Sequence, residues 1–492
     1  MSTDLEFNKV TFGLPVEAFR IDAYITKDER LPVVTEYVLR AIRICESLTP
    51  AGLRDFFGFS DAEALTVVEV LTRQGLVTLA GDEIRLSSYA TERFDASSSE
   101  DYPRFTKVEP RRDSVTLDLL SFSPLLAPRF GFLTENSLRL ETPEDAIGHS
   151  TERAKRTYTT RFHEVANLND RLRDSAVSVY AVEDVQSRKR GYLPIPVSFA
   201  LGDEEQVERR AARNFEEGAA PELRQAFHEA VSSIIPTALT VGNAQIERFM
   251  EAFDLGWLDP FVTGKRFDIR GYARRVVDGE MGTPKGVKPL FGNLYLDRNL
   301  ELLVEAIASS GSQQRHRLTT SAAWLGPDHF LWGRGEAFQQ AVSRIRDTVQ
   351  SASQDELHLF LATEHGRERP TADRFRGVEH GPLHAFRLPP SGDGTLGGRL
   401  ELFLYPTGLA AAMFHLSLPG SSGLWAPIGF LSTQADHCAA IHKLLLSLAG
   451  GQQYGGRLDK VGQAQERPMN FEGSCGFLNY VSLRVSRPPQ TT

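Results

Sequence analysis

The length of the chain is the first constraint on its fold. A chain of 492 residues exceeds what one hydrophobic core can organise, because single cores stop growing beyond about 250–300 residues. Hydrophobic residues make up 41% and charged residues 24% of the chain, which are the proportions of a globular protein. We therefore expect an α/β-class protein with a mixed α+β multidomain fold, divided into residues 1–95, 102–310 and 311–492.

The net charge and the cysteines exclude several classes of protein. A formal charge of -9 at pH 7 excludes a uniformly basic surface, but it leaves room for a local basic patch. Cys45, Cys438 and Cys475 lie far apart and form no CxxC pair, which disfavours a disulfide framework or a thiolate zinc site. No secretory signal pattern opens the sequence, and its most apolar stretches are about half as long as a bilayer span. We expect a reduced, cytoplasmic protein without a membrane partner.

The first hundred residues carry regular hydrophobic periodicity. Apolar and polar residues alternate from Phe19 to Thr26, which predicts a half-buried strand. Three helical patterns follow, and the third begins at a Ser60–Glu63 capping box and ends at Gly75. A turn at Gly81-Asp82 between two apolar runs predicts a hairpin.

This order of three helices and a hairpin, with its "RQGLVTL…DEIRLS" ending, resembles a winged helix-turn-helix domain over residues 30–90. The resemblance implies DNA binding, in which the third helix enters the major groove. The predicted outer face of that helix is acidic, however, and would repel phosphates. Its charged and polar residues are Asp61, Glu63, Thr66, Glu69 and the single cation Arg73. DNA reading and protein docking or dimerisation therefore both stay open for this domain.

The middle of the chain is less regular. Its pattern predicts strands at Ala176–Val182 and Ile195–Leu201, separated by a turn at 188–190. A charged helix is predicted over Asp203–Phe215, where Glu205 is spaced to pair with Arg209. Further helical patterns run through residues 221–256 and 298–309.

From residue 316 onward, strand and helix patterns alternate, which predicts an α/β layered domain. The predicted strands are Leu318–Trp324, Leu357–Ala362, Leu383–Leu388, Leu400–Tyr405, Ala411–Leu418, Pro427–Leu431 and Gly476–Val485. The predicted helices are Gly335–Ser351 and Thr433–Ala449, and a hairpin tip is predicted at 391–394.

The segment "FHLSLPGSSGLWAPIGFLS" and the element order around it resemble one half of a phospholipase D-like domain. In that superfamily an H-x-K-x4-D motif is followed by G-S-x-N, and the histidine attacks a phosphodiester. His415 and Gly429 match the motif. The lysine, aspartate, serine and asparagine are replaced by Ser417, Ser422, Phe430 and Ser432.

Losing the lysine removes a cation that would stabilise the transferring phosphoryl group. We therefore expect a degenerate, non-catalytic domain or a chance match, in which His415 is a structural histidine at a strand end. The alternative is a metal-independent phosphodiesterase or nuclease that uses His415 as its catalytic residue. Because one half of the pair is visible, this alternative requires a homodimer or a disguised second half.

Nine of the twelve histidines lie between His316 and His442, which marks this region for acid–base or metal chemistry. Cys438 and His442 are i,i+4 neighbours beside Asp436 and His437, a spacing that suits zinc but equally suits a buried helix face. The pairs Glu364-His365 and Glu379-His380 are acid–base candidates. We assign no metal and no cofactor.

Two concentrations of basic residues are candidates for nucleic-acid binding. The first contains Arg153, Lys155, Arg156, Arg188, Lys189 and Arg190, and the second contains Lys265, Arg266, Arg270, Arg274 and Arg275. Aromatic residues such as Phe267 and Tyr272 lie among the second set, as in surfaces that stack on single strands. Acidic neighbours offer the alternative of ion pairs on a solvated face.

No P-loop, dinucleotide fingerprint, nucleophile elbow or HExxH motif occurs in the chain. The sequence thus favours a nucleic-acid-associated binding or adaptor subunit, set by analogy of architecture in a bacterial phage-defence or DNA-processing system. Its expected partners are nucleic acid and another protein, and self-association stays open. The alternatives are the nuclease that uses His415 and a purely protein-binding scaffold.

Overall fold

The computed structural model describes residues 5–96, 104–125, 136–168, 177–202, 206–235, 244–264, 266–311, 322–353, 356–362, 374–375, 378, 383–386, 396, 398–405, 408–418, 421–450 and 457–458. The chain divides into two compact units. The smaller unit is Glu17–Pro128 with Glu144–Arg190, and the larger unit is Met1–Val16, Arg129–Pro143 and Gly191–Thr492. Helices and several sheets make the fold mixed α+β, as expected. The two units do not coincide with the three predicted ranges, because residues 1–95 and residues 102–310 are each divided between them.

The strands are β1 (Glu6–Arg30), β2 (Val77–Ala80), β3 (Glu83–Leu86), β4 (Arg104–Asp118), β5 (Pro124–Leu125), β6 (Leu138–Arg139), β7 (Val177–Leu201), β8 (Val207–Ala211), β9 (Val262–Thr263), β10 (Arg266–Phe267), β11 (Val287–Phe291), β12 (Ala322–Leu325), β13 (Leu357–Ala362), β14 (Leu383–Phe386), β15 (Leu400–Tyr405), β16 (Leu409–Leu418), β17 (Ser421–Ser432) and β18 (Arg457–Leu458).

The helices are α1 (Val33–Cys45), α2 (Pro50–Phe57), α3 (Asp61–Arg73), α4 (Ser88–Ala96), α5 (Glu144–Gly148), α6 (Ser150–Thr160), α7 (Phe162–Leu168), α8 (Arg213–Gly218), α9 (Pro221–Ile234), α10 (Ala244–Phe253), α11 (Ile269–Asp278), α12 (Asp297–Gly311), α13 (Glu336–Ser353) and α14 (Ala435–Gly450). Within the part of the chain that the structure describes, no helix is both long and apolar enough to cross a membrane.

Helices α1–α4 and the hairpin β2–β3 form a helical module in the smaller unit. The predicted capping box is confirmed, since Ser60 Oγ accepts from the Glu63 backbone N–H while the Glu63 carboxylate accepts from the Ser60 N–H. Helix α2 ends at Gly58, whose φ of 71° is accessible to glycine at little cost. Side chains of α1, α2, α3 and both strands share one core, which includes Val38, Leu71 and Ile84. Helix α4 was not predicted.

In the same unit, the part of β1 from Glu17 onward lies between β4 and β7, with β5 on the far side of β4. The predicted alternation in β1 is confirmed, because Phe19, Ile21 and their i+2 successors are buried. Helices α6 and α7 contribute Tyr158 and Phe162 to the core of this sheet.

Two predictions for the middle of the chain are wrong. Strand β7 runs without interruption through 188–190, where a turn was expected, because cations are accommodated on an exposed strand as readily as in a turn. The segment predicted as a helix over Asp203–Phe215 contains strand β8, whose antiparallel pairing with β7 places Ala211 opposite Val197. Sheet pairing here overrides the local preference for helix. Residues 203–205, and hence Glu205, lie outside the described residues.

The larger unit is built around a sheet with the strand order β11-β17-β16-β15-β12-β13-β14-β18. Strands β12, β13 and β14 are parallel, whereas β15, β16, β17 and β11 pair antiparallel. Helices α12 and α13 pack against side chains such as Met413 on one face of the sheet. On the other face, Phe249 of α10 stacks on Phe414 at 5.5 Å, which completes a three-layer arrangement.

The bounds of β13 and β15 are confirmed as predicted, and those of α13, β16 and α14 differ from their predictions by one or two residues. Strand β17 begins six residues earlier than the predicted Pro427–Leu431. The predicted hairpin tip at 391–394 and the final strand Gly476–Val485 lie outside the described residues.

Candidate functional site

His415 lies on β16, near the middle of the larger sheet. Glu401 of β15 is directly opposite Met413, so Glu401 and His415 share one face of the sheet. Trp324 of β12 is opposite Phe403, two residues from Glu401, and therefore lies on the same face. Strand register thus brings together three polar side chains from separate parts of the sequence.

These three side chains form a buried hydrogen-bonded group. Nε2 of His415 lies 3.2 Å from Oε2 of Glu401. The indole N–H of Trp324 donates to Oε1 of the same carboxylate at 3.1 Å. His415 is 2% exposed and Glu401 is 0% exposed. The carboxylate therefore holds Nε2 of His415 in a site that is shielded from solvent.

A cation lies close to the position where the phospholipase D-like motif would have its lysine. Arg399 donates from Nη1 to Ser417 Oγ at 2.9 Å and to the His415 carbonyl oxygen at 3.1 Å. Its guanidinium also lies 4.7 Å from the ring centroid of Trp425. Arg399 is buried, and burial lowers its pKa. Sequence reasoning missed this residue because nothing along the chain links it to Ser417.

His329 completes the group that we call the His415 cluster: His329, Trp324, Arg399, Glu401, His415 and Trp425. Its ring stacks on Trp425 at 4.3 Å, and Nε2–H donates to the Gly423 carbonyl at 3.0 Å. Burial, together with the nearby His415, Arg374 and Arg399, lowers the pKa of His329 to about 3, although the hydrogen bond to Gly423 opposes the shift. His329 is therefore neutral near pH 7.

The His415 cluster has acid, base and cation in contact, but it is closed. A cavity of ≈ 630 Å³ in the larger unit has a different lining, which includes Lys288, Glu305 and Thr433 and none of the cluster. A phosphodiester would have to open this buried face of the sheet to reach His415. The arrangement therefore suits a structural polar network better than a nucleophile.

Another histidine of this region, His437, is also buried. His437 donates from Nε2 to the Phe253 carbonyl at 2.9 Å, and Nδ1 lies 2.9 Å from Ser432 Oγ, so it links α14 to the end of α10. Burial raises the pKa of the neighbouring Cys438 thiol to about 12. Within the described residues, no three His, Cys, Asp or Glu side chains are arranged to hold a metal ion. His316 and the pairs Glu364-His365 and Glu379-His380 lie outside the described residues.

The first basic concentration is brought together in the smaller unit. Arg190 of β7 donates from Nη2 to Ser150 Oγ, at the start of α6, at 3.1 Å. Its Nε lies 2.9 Å from Oε2 of the fully buried Glu17, which balances its charge. Arg153 pairs with Asp145 and lies over the ring of Phe122 at 5.2 Å. Both arginines are therefore engaged by contacts within the smaller unit.

The four other cations of this concentration are exposed. We call them the α6–β7 basic surface: Lys155, Arg156, Arg188 and Lys189. Among the described residues, Lys155, Arg156 and Arg188 have no ion-pair partner. Arg156 is six residues from Ser150, a rise of about 9 Å along the helix. The two basic runs therefore form one local surface.

The second basic concentration lies in the larger unit, on and before α11. Arg266, Arg274 and Arg275 are exposed, and Arg275 lies 5.7 Å from the ring centroid of Phe261. The aromatic rings among them are not available for base stacking, since Phe267 and Tyr272 are buried. The Tyr272 hydroxyl is at 2.9 Å from both the Leu290 and the Gly429 carbonyl oxygens. Lys265 lies outside the described residues.

The helical module has an unusually apolar surface. Of the thirteen large hydrophobic side chains exposed in the described residues, nine belong to it. They are Val33, Val34, Tyr37, Ile44, Phe56, Leu65, Val70, Leu79 and Tyr89. On α3 the acidic residues predicted to face outward are exposed, and its one cation, Arg73, pairs with Glu69 at 2.5 Å. This surface favours protein contact over phosphate contact.

Comparison with known proteins adds little to this geometry. No protein-family model matches the chain, and no curated protein matches it. Among solved structures, one similar chain is TrmBL2, described as an archaeal chromatin protein with a novel mode of DNA binding. It is 9% identical, the match covers 85% of this chain and 94% of that chain, and the TM-score is 0.16. A TM-score this low does not establish a shared fold.

Proposed function

We propose that the chain is a non-catalytic adaptor that holds nucleic acid by its phosphate backbone through the α6–β7 basic surface. The observation that carries this proposal is the contact of Arg190 with Ser150, which joins two basic runs more than thirty residues apart. Following the architectural analogy, we place the adaptor in a bacterial DNA-processing or phage-defence assembly.

The charge arrangement supports contact with phosphates. Arg190 is neutralised by the buried Glu17, so it positions the surface without being needed for binding. Lys155, Arg156 and Arg188 keep their charges exposed, and each can displace one condensed counterion from a nucleic acid. Phosphate contacts of this kind carry no sequence information, so the expected binding is sequence-independent.

The contacts within the His415 cluster support the proposal that the adaptor is not catalytic. The buried His415 is engaged by Glu401, and Arg399 is engaged by Ser417 and the ring of Trp425. In the phospholipase D-like interpretation, the inherited site has become an internal polar network that joins strands β15 and β16.

The test is binding of fluorescently labelled oligonucleotides, followed by anisotropy at a series of NaCl concentrations. Single-stranded DNA, duplex DNA and single-stranded RNA of equal length serve as probes. We expect the affinity of the parent chain to fall linearly with salt on logarithmic axes. The triple variant Lys155→Glu, Arg156→Glu and Arg188→Glu is expected to lower the slope by about three, one per phosphate contact.

A matched control reverses three other exposed cations, Arg248→Glu, Arg344→Glu and Lys443→Glu, which lie in the larger unit. This control makes the same change in net charge and should leave the salt slope intact. Salt-insensitive binding, no binding, or an equal loss in both triple variants would contradict the proposal. Arg266→Glu, Arg274→Glu and Arg275→Glu test the second basic concentration in the same assay.

A further inference from the structure

The cavity of ≈ 630 Å³ is lined by the last turns of α12 and by the adjacent ends of β11, β16 and β17. Its volume lies within the range of about 300–1,000 Å³ that is usual for small-molecule sites. Lys288 of β11 is directly opposite Leu431 of β17, so both side chains lie on one face of the larger sheet. Leu409 of β16 shares this face, since Leu431 is opposite Ala411. The sheet therefore supplies the cavity with an apolar floor and one cation.

Two opposite charges line this cavity on different elements. Lys288 belongs to β11 and Glu305 to α12. Both residues are exposed, and within the part of the chain that the structure describes neither makes an ion pair. Ser309 and Ser310, in the last turn of α12, also line the cavity, and a helix C-terminus carries partial negative charge. The helix side of the cavity therefore attracts a cation, whereas the strand side attracts an anion.

The apolar part of the lining belongs to the core of the larger unit. Leu409 and Leu431 are 0% and 3% exposed, and Ala306 of α12 packs against the same core. A hydrocarbon group that enters the cavity leaves water on contact with these side chains, which favours binding. Thr433, whose hydroxyl donates to the Gly286 carbonyl at 3.4 Å, adds a polar group to the lining.

We propose that this cavity, the α12–β11 cavity, binds a small zwitterion of the amino-acid and short-peptide class. The ligand carboxylate contacts Lys288, its ammonium contacts Glu305, and an apolar side chain lies against Leu409 and Leu431. A ligand with only negative charge, such as phosphate, would be attracted by Lys288 but repelled by Glu305. A zwitterion satisfies both groups. All of these residues belong to the larger unit, so this site is separate from the α6–β7 basic surface.

The first experiment is isothermal titration calorimetry of the full chain near pH 7. The probes are L-leucine, L-leucyl-L-leucine and inorganic phosphate, and each of the first two is compared with its N-acetyl and its C-terminal amide form. We expect one of the two zwitterions to bind about tenfold or more tightly than either of its singly charged forms, because each charge-assisted contact contributes roughly that factor. Phosphate should not bind.

The second experiment assigns each charge to its partner. Glu305→Gln is expected to abolish the preference for a free ammonium group and to retain the preference for a free carboxylate, whereas Lys288→Met should have the reverse effect. The matched controls, Glu251→Gln and Lys443→Met, change exposed residues of the larger unit outside the lining and should leave both preferences intact. Far-UV circular dichroism establishes that each variant is folded.

Three results would overturn the proposal. They are no binding of either zwitterion, equal binding of a zwitterion and its singly charged forms, and the same loss of preference in the control variants. A lysine that only protects the edge strand β11 from pairing with another strand would give the first result.

Discussion

Acidification should destabilise the larger unit through one buried histidine. His329 is stacked on Trp425 and donates to the Gly423 carbonyl, so its imidazole is held in the neutral form. Burial, assisted by the nearby His415, Arg374 and Arg399, lowers its pKa to about 3. In the unfolded chain a histidine has a pKa of about 6.5. The unfolded state therefore binds more protons than the folded state between about pH 3 and pH 6.5.

The sign and size of the effect follow from this difference. The pKa of His329 is lower in the folded state than in the unfolded state. Above pH 6.5 the histidine is neutral in both states and does not change the free energy of unfolding. Below pH 6.5 the unfolded state takes up a proton and the free energy of unfolding falls. At pH 5 the pH is about 1.5 units below the unfolded pKa, and each unit corresponds to about 1.36 kcal/mol. We expect His329 to lower the free energy of unfolding by about 2 kcal/mol between pH 7.5 and pH 5.

Tryptophan fluorescence during urea unfolding reports on the larger unit, which contains His329. All four tryptophans, Trp257, Trp324, Trp332 and Trp425, lie in the larger unit. We expect the parent chain to lose about 2 kcal/mol more between pH 7.5 and pH 5 than the variant His329→Phe. That variant keeps a ring against Trp425 but does not titrate.

The variant His329→Gln separates titration from shape. It lacks the ring, so it is expected to be less stable than His329→Phe at both pH values. Its loss between the two pH values should nevertheless equal that of His329→Phe, because neither side chain binds a proton in this range. If the parent and both variants lost the same free energy, the argument that burial holds His329 neutral would be refuted.

Three further predictions concern the cluster and the module. Glu401→Ala should lower the free energy of unfolding by about 3–5 kcal/mol in the same urea assay, because it leaves buried His415 and the Trp324 N–H without their acceptor; near-parental stability would contradict the network. The parent chain should not cleave oligonucleotides in EDTA, and cleavage that His415→Ala abolishes would reject the adaptor in favour of the nuclease. Ser60→Ala should cost the helical module about 1 kcal/mol, measured by circular dichroism, through loss of the capping box.

The helical module shows how much local signals predict. Its helix starts and stops depend on contacts within a few residues, as in the hydrogen bonds between Ser60 and Glu63 or the left-handed turn at Gly58. Such contacts can be predicted from the spacing of residues along the chain. The predicted order of three helices followed by a hairpin is therefore found in the module. The acidic outer face of α3 was likewise predictable, because the predicted inner residues Ala64, Val68 and Leu71 are buried. Leu65, which the same periodicity predicts to be buried, is 60% exposed.

Strands β7 and β8 show where local signals are insufficient. The cations at 188–190 and the charged segment around Arg209 suggest a turn and a helix when they are considered alone. Both segments are strands because of sheet pairing: β7 pairs with β1, which is distant in sequence, and β8 pairs with the end of β7 across a short connection. Their exposed side chains carry no periodicity strong enough to reveal that pairing.

The sequence by itself determined the helical module, the alternation of strands and helices in the larger unit, and the departures from the phospholipase D-like motif around His415. Only the tertiary structure decided what surrounds that histidine. Glu401 and Arg399 reach His415 through the register of β15 against β16, and Arg190 reaches Ser150 through the packing of β7 beside α6. Register and packing join residues that local spacing does not relate, so the same residue types can form either an open site or a closed polar network.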